Sequence, residues 1–179
     1  KAQVYKTRAS EFADTKASAL GVYLPGIMKM DEGENVIDMV LPGDYTGSLL
    51  FFYENGKAAK VALESYATKT NRKKLTGAYS DKSRLMSIVA LKTDTQIAAV
   101  STEDRAIVFP SELVALKASR ATQGVNVLTL KKKYTLKEAR LLEDTAIKNT
   151  ARYRVKTIPA AGALLKPEDR GEEQMSILD

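Results

Sequence analysis

Apolar residues in this chain fall into short runs of strand length, separated by polar turns. The clearest example is the run Ser-Leu-Leu-Phe-Phe-Tyr at 48–53, followed by Asn55-Gly56 and a second run of mixed character at 57–63. An Asn-Gly pair between two such runs is a strong signal for a β-hairpin, and both turn residues are expected at positive φ. The pattern therefore predicts two antiparallel strands joined by a tight turn.

The hairpin pattern occurs again 48 positions further along, at 96–109, where Asp104 stands in the place of Gly56. Residues 1–5 resemble the second strand of the hairpin alone. A glycine follows each of the three second strands at a nearly constant distance. The distances are 20, 20 and 19 residues, for Gly21 after Lys1, Gly77 after Lys57 and Gly124 after Arg105. The hairpin pattern and the glycine that follows it keep a nearly constant spacing in three copies, which indicates an internal repeat.

Each repeat contains about four short strands in about fifty residues, which is typical of a propeller-like blade that stacks on its neighbours. The predicted fold is all-β, with blades at 1–47, 48–95 and 96–134. In the first blade we expect strands at 1–12, 22–24 and 35–41. The alternative is a β-sandwich that contains two similar hairpins.

The pattern changes after residue 134. Thr135 and Glu138 form a capping-box sequence, and apolar residues follow at helical spacing at 136, 139, 142, 146 and 147. We therefore expect a helix at 136–148 that caps the last blade or docks elsewhere. A strand is expected at 152–158, within a capping region at 135–170, and an acidic, frayed tail at 171–179.

Composition narrows the chemistry. The chain has neither Cys nor His, which removes thiolate nucleophiles, His-dependent triads and nearly all zinc sites. It also has no P-loop, and its acidic run at 31–38 shows no metal-ligand spacing. No apolar run is long enough for a membrane span, so no membrane partner is expected. We expect no catalysis and no cofactor in this stretch. Because it starts without Met and partway through a repeat, we expect it to come from a longer polypeptide.

The charge is unevenly distributed. The net charge is +6, with a pI near 9.4. Nine basic and two acidic residues give 56–93 a charge of +7, and eleven basic and three acidic residues give 117–156 a charge of +8. Clustered positive charge favours a polyanionic partner, nucleic acid first.

The basic residues lie largely in the polar connections that precede the marker glycines. If the blades stack in register, these connections form a curved stripe that could neutralise phosphates of a duplex. The alternative is that these basic connections are ordinary solvent-exposed loops with no role in binding. The candidate DNA-binding residues are Lys16, Lys69, Arg72, Lys73, Lys74, Lys117 and Arg120, extended by Lys82, Arg84, Lys131 and Lys132, with Lys133 beside them.

The runs at 49–61 (Leu-Leu-Phe-Phe-Tyr-Glu-Asn-Gly-Lys-Ala-Ala-Lys-Val), 73–77 and 120–125 resemble the blade repeats of a known family. This is the C-terminal domain of the A subunit of bacterial type IIA topoisomerases, namely DNA gyrase and topoisomerase IV. The resemblance covers about residues 1–130. It implies a β-pinwheel whose basic rim binds and bends duplex DNA, and it carries over Lys16, Arg72, Lys73, Lys74, Lys117 and Arg120 as rim residues.

The resemblance also implies partners and a location. They are duplex DNA, the rest of the A subunit and the ATPase B subunit, in the cytoplasm at the nucleoid. ATP, magnesium and the DNA-cleaving tyrosine would belong to other parts of that enzyme. Two features depart from the family, since the Gln-Arg-Arg-Gly-Gly-Lys-Gly type box of gyrase is absent and only about three blades are recognisable, against five or six.

Two other functions stay open. A propeller-type scaffold could use the basic rim to bind acidic proteins. A hydrolase with a site at the hub is weaker, because the sequence offers no nucleophile–base set.

Overall fold

The computed structural model describes residues 2–70 and 72–171, and over these residues it is mostly β-sheet. The strands are β1 Gln3–Tyr5, β2 Ser48–Tyr53, β3 Lys57–Ala62, β4 Lys74–Thr76, β5 Leu85–Leu91, β6 Gln96–Ser101, β7 Arg105–Pro110, β8 Leu116–Lys117, β9 Val125–Asn126, β10 Leu136–Leu141 and β11 Ala163–Leu164. The helices are α1 Leu24–Met28 and α2 Thr150–Tyr153, with 3-10 turns at Ala9–Glu11, Leu63–Tyr66, Ser111–Leu113, Leu142–Asp144 and Pro167–Asp169.

The first three strands of the two larger sheets have the same order, which confirms the repeat. One is β5-β2-β3-β8, with β9 also paired to β3, and the other is β10-β6-β7-β11. Thus β2, β3 and β5 correspond to β6, β7 and β10. The remaining pair, β1 with β4, forms a two-stranded sheet in which β1 corresponds to β3 and β7.

Both hairpins turn in the same way. Gly56 has φ +79° and donates its N–H to the Tyr53 carbonyl at 2.9 Å, and Asp104 has φ +57° and donates to the Ser101 carbonyl at 2.9 Å. The predicted equivalence of Gly56 and Asp104 is therefore confirmed. The prediction that both residues of Asn55-Gly56 take positive φ is wrong. Each loop has three residues, and only the last takes the left-handed conformation, as in a type I turn followed by a bulge.

Each sheet receives its edge strand from the following stretch of chain. β1 pairs with β4, β3 with β8 and β9, and β7 with β11. Two backbone contacts repeat in register, because Val127 N–H donates to Gly56 O at 2.9 Å and Leu165 N–H donates to Asp104 O at 2.8 Å. Consecutive blades therefore exchange strands along one edge, and a blade is not one continuous segment of sequence.

The hairpin strands bury both of their faces. On one face of β2, Leu50 and Phe52 pack against Ile97 of β6 and Phe109 of β7. On its other face, Leu49, Phe51 and Tyr53 pack towards the two-stranded sheet of β1 and β4. In β6 and β7, Ala98, Val100, Ala106 and Val108 face the C-terminal segment. Strands buried on both faces read as continuous apolar runs.

The first repeat is less complete than predicted. The strand expected at 1–12 is limited to β1, the one at 22–24 is replaced by the start of α1, and 35–41 forms no strand. In the larger sheets the strand corresponding to 35–41 pairs with β2 or β6. Among the described residues, no such strand lies beside β1, so the backbone of 35–41 has no ladder to join.

The helix predicted at 136–148 is wrong. Residues 136–141 are β10, paired with β6, and a 3-10 turn at Leu142–Asp144 follows. The strand predicted at 152–158 is also wrong, since α2 ends at Tyr153 and Arg154 forms an isolated bridge with Val108. Of the predicted tail, only Gly171 lies within the described residues.

Candidate nucleic-acid interface

Two of the predicted basic connections lie side by side on the exchanged edge. The first follows β3, and its side chains Lys69, Arg72 and Lys73 are exposed. The second begins at β8, which runs parallel to β3 and pairs Lys117 with Val61. β8 is the last strand of its sheet, and Lys117 is exposed there. The strand exchange therefore brings together two basic connections whose cations are more than forty residues apart in sequence.

Arg120 joins the two connections. Its Nη1 donates to the Ser65 carbonyl oxygen at 3.2 Å, and its guanidinium lies 5.7 Å from the centre of the Tyr66 ring. Ser65 Oγ also donates to the Ala118 carbonyl at 3.4 Å. Gly77 and residues 118–121 line a shallow groove beside this contact. Arg120 is half-buried and positions the second connection against the first.

Tyr66 provides the flat surface under Arg120. Its hydroxyl donates to the Ala78 carbonyl at 2.6 Å, and burial strongly raises the pKa of this phenol. Tyr66 is therefore neutral over the whole biological pH range. Its role here is packing, and the same holds for buried Tyr53, whose hydroxyl accepts from Ser80 N–H at 3.1 Å.

A third basic connection follows the same geometry, and the sequence analysis missed it. The parallel bridge of Arg154 with Val108 corresponds to the pairing of Leu116 with Lys60. The segment then leads to Gly162, at φ +74°, as the second connection leads to Gly124, at φ +72°. The exposed cations here are Arg152, Arg154 and Lys156. The signal that could have found them is Gly162, which lies 38 residues after Gly124.

Two of the lysines predicted to bind DNA form ion pairs with acidic residues of this chain. Lys73 Nζ lies 3.0 Å from Glu11 Oε2, and Lys74 Nζ lies 2.8 Å from Asp31 Oδ1 and 5.4 Å from the centre of the Tyr5 ring. The hydrogen bond that Lys74 donates to Asp31 raises the pKa of Lys74, so this side chain is charged and already paired. It holds the turn at 31–34 against β1 and β4.

Four predicted residues lie at the opposite ends of the strands, near the hairpin turns. The backbone carbonyl oxygen of Arg84 accepts a hydrogen bond from the Glu54 N–H at 2.8 Å, and the Lys131 side chain forms an ion pair with Glu103. Lys82 and Lys132 are exposed in the same regions. The six residues of β3 separate the two ends by about 17 Å at about 3.3 Å per residue. These four cations therefore do not continue the edge formed by Lys69, Arg72 and Lys117.

Lys16 is exposed in the segment between Phe12 and α1. Within the described residues, its side chain makes no hydrogen bond or ion pair with any other candidate.

The described residues hold no group of three or more acidic residues arranged for a metal ion. The acidic residues at 31–34 instead join a local network, in which Tyr5 Oη donates to Glu34 Oε2 at 2.5 Å and Gln3 Nε2 donates to Asp31 Oδ2 at 3.3 Å. Neither α1 nor α2, the two α-helices of the described residues, has the length and apolar character of a membrane-spanning helix.

The fold is that of a β-pinwheel, a propeller-like arrangement in which neighbouring blades exchange strands. The chain is similar to the solved structure titled "Crystal structure of the C-terminal domain of DNA topoisomerase IV", with a TM-score of 0.76 and 20% identity over 92% of this chain. It is also similar to "Structure of DNA gyrase A C-terminal domain", with a TM-score of 0.61 and 16% identity over 94% of this chain.

The chain spans 55% and 60% of the lengths of these two structures. At this identity the likeness establishes the fold. No protein-family model matches the sequence, and no curated protein matches it.

Proposed function

We propose that this chain binds duplex DNA through the basic edge, defined here as the exposed cations, together with half-buried Arg120, on the three connections that the strand exchange brings to one edge. These are Lys69, Arg72 and Lys73 on the first, Lys117 and Arg120 on the second, and Arg152, Arg154 and Lys156 on the third. The observation that carries the proposal is the contact of Arg120 with Ser65 and Tyr66, which sets two basic connections against each other in repeat register. Charges repeated along a curved edge fit the evenly spaced phosphates of a duplex.

Contact with the phosphate backbone makes this binding indifferent to base sequence. The cations of the edge are lysines and arginines, and the described edge carries no exposed aromatic side chain for stacking with unpaired bases. A duplex, rather than a single strand, is therefore the ligand that the edge fits. If the blades follow one another around a curve, the bound duplex is bent.

We further propose that the chain is an accessory, non-catalytic part of the A subunit of an ATP-dependent type IIA topoisomerase, either gyrase or topoisomerase IV. The fold shared with two such C-terminal domains supports this. In that enzyme, magnesium, the cleaving tyrosine and the ATPase subunit lie outside this stretch. Binding by the edge would direct strand passage at the nucleoid in the cytoplasm.

Fluorescence anisotropy with a duplex of a few tens of base pairs, measured over a salt series, tests the edge. The variant is Lys69→Gln/Arg72→Gln/Lys117→Gln, which leaves the structural contacts of Arg120 in place. The matched control is Lys82→Gln/Arg84→Gln/Lys132→Gln, which removes the same charge at the hairpin ends. Three lost phosphate contacts reduce the slope of log K against log salt by about 2.7.

The expected result is tight binding by the wild type that weakens steeply with salt, a shallower slope for the edge variant and a nearly unchanged slope for the control. Equal losses in the two variants would contradict the edge assignment. Absence of binding at low salt would overturn DNA binding and favour a scaffold that meets acidic proteins.

A further inference from the structure

One cation of the basic edge is already bound to a carboxylate. Lys73 Nζ donates to both oxygens of Glu11, at 3.2 Å to Oε1 and 3.0 Å to Oε2. The Lys73 side chain is nevertheless 59% exposed and that of Glu11 35% exposed, so both can be reached from solvent. Two oxygens on one ammonium group reproduce the contact that a phosphate would make.

The surroundings of Glu11 hold it in its charged form. The hydrogen bond from Lys73 lowers the pKa of the Glu11 carboxyl, with a smaller contribution from Thr7, whose Oγ1 donates to Oε2 at 3.2 Å. Arg8 lowers the pKa further by its charge. At neutral pH, Glu11 is therefore an anion that lies beside Lys73 of the edge and near Arg8.

Glu11 can leave Lys73 without disturbing the core. It belongs to the 3-10 turn Ala9–Glu11, in which no residue is buried. Lys73, by contrast, is fixed at its backbone, because its carbonyl accepts the Lys6 N–H at 2.7 Å next to the β1–β4 pair. Exposed ion pairs are weak and readily exchanged.

The pair of Lys74 with Asp31 is of a different kind. Lys74 lies within β4 and is half-buried over the Tyr5 ring, and Asp31 is further held by Gln3. This second pair joins two parts of the fold, and its exchange would expose packed surface.

We propose that Glu11 is an internal competitor that occupies Lys73 in place of a DNA phosphate and is displaced when DNA binds. This inference rests on the proposed function of the basic edge. Each binding event then includes the breaking of the Lys73–Glu11 pair, and the freed carboxylate lies near the incoming phosphates. Glu11 thereby lowers the affinity of the edge and makes it less sensitive to salt, because salt also weakens the competing pair.

The test compares Glu11→Gln with Asp14→Asn in the anisotropy assay. Both variants remove one negative charge from the same exposed stretch, and within the described residues Asp14 has no side-chain partner. We expect Glu11→Gln to tighten binding several-fold near 0.1 M salt and to steepen the salt slope by up to about 0.9, the value of one phosphate contact. Asp14→Asn should give a smaller gain with little change in slope.

A double-mutant cycle isolates the pair. In a Lys73→Gln background, Glu11→Gln should give no more than the gain seen with Asp14→Asn. If Glu11→Gln and Asp14→Asn behave alike in the wild-type background, or if the gain from Glu11→Gln persists without Lys73, the competitor role is overturned while DNA binding stands. If the wild type shows no salt-dependent binding to DNA, the proposed function itself is overturned. Circular dichroism of each variant checks that the fold is intact.

Discussion

Gly124 lies so close to Ala58 that a Cβ atom on Gly124 would stand 1.7 Å from the Ala58 carbonyl oxygen. This approach is what allows β9 to pair with β3 across the blade boundary. Gly162 repeats the relationship with Ala106, where a Cβ would stand 2.6 Å from the carbonyl oxygen. Gly124, just before β9, and Gly162, just before β11, are thus required by the strand exchange that builds the basic edge.

The first prediction compares two marker glycines. Gly124→Ala and Gly77→Ala both place alanine at positive φ, at +72° and +56°, but only Gly124 has backbone within reach of the new methyl group. The shared conformational cost is about 1–2 kcal/mol, and overpacking at Gly124 adds about 1–3 kcal/mol. Urea unfolding should therefore show a much lower midpoint for Gly124→Ala. Equal midpoints would contradict the close approach. Gly21→Ala, in open space, should be nearly neutral.

The second prediction concerns the buried polar site that fixes the C-terminal segment. Tyr153 Oη donates to Asp169 Oδ2 at 2.7 Å and accepts the Lys166 N–H at 3.0 Å, while Asp169 Oδ1 accepts the N–H groups of Lys148 and Asn149. Tyr153→Phe leaves the Lys166 N–H without this acceptor and should cost about 1–3 kcal/mol in the free energy of unfolding. A variant as stable as the wild type would show that water replaces the hydroxyl.

The third prediction is the pH dependence of the same site. The hydrogen bond from Tyr153 lowers the pKa of the Asp169 carboxyl, with help from the two backbone N–H groups. Because the folded pKa lies below the unfolded value of about 3.9, this stabilisation is complete above about pH 5 and is lost as pH falls from there through the folded pKa. Asp169→Asn should be less stable at pH 6 but should lose less stability between pH 6 and pH 3. Parallel losses by the two proteins would refute the linkage.

The fourth prediction concerns Lys60, which is only 8% exposed and joins the two larger sheets. Its Nζ pairs with Asp94, which also accepts from Ser111 Oγ at 2.6 Å, and the Lys60 bond lowers the pKa of Asp94. Asp94→Ala leaves the buried Lys60 ammonium without its carboxylate partner, with the Ser111 carbonyl oxygen at 3.5 Å, and should cost about 1–3 kcal/mol. Lys60→Met leaves Asp94 half-exposed and should cost less, about 1 kcal/mol. Denaturant unfolding that reversed this order would argue against a desolvated lysine.

The fifth prediction tests the third connection of the basic edge. Arg154→Gln/Lys156→Gln removes two exposed cations and should reduce the salt slope of DNA binding by about 1.8. Lys82→Gln/Lys132→Gln removes the same charge near the hairpin turns and should leave the slope nearly unchanged. A DNA affinity untouched by Arg154→Gln/Lys156→Gln would confine the interface to the first two connections.

The local pattern predicted the hairpins well because their signals are local. The first strand of each hairpin is an apolar run that packs on both faces, and the turn needs a residue that tolerates positive φ, which Gly56 and Asp104 supply. The same reasoning failed for 136–148. A register shift between Leu136 and Glu138 places a bulge in β10, so Leu136 and Ala139 both reach the inter-sheet core at a spacing of three residues. A bulged strand thus reproduced a helical period.

By itself, then, the sequence determined the repeat, the hairpins, the turn positions and the clustering of positive charge, since each depends on neighbours in the chain. Tertiary structure alone decided which strands join which sheet, because edge pairing depends on backbone groups that no side-chain pattern encodes. In the tertiary structure, residues 35–41 have no neighbouring strand to pair with. The same structure separates Lys82 and Lys131 from Lys117, and it adds Arg154 and Lys156 to the edge. It also placed Glu11 on Lys73, a contact 62 residues apart that only the pairing of β1 with β4 makes possible.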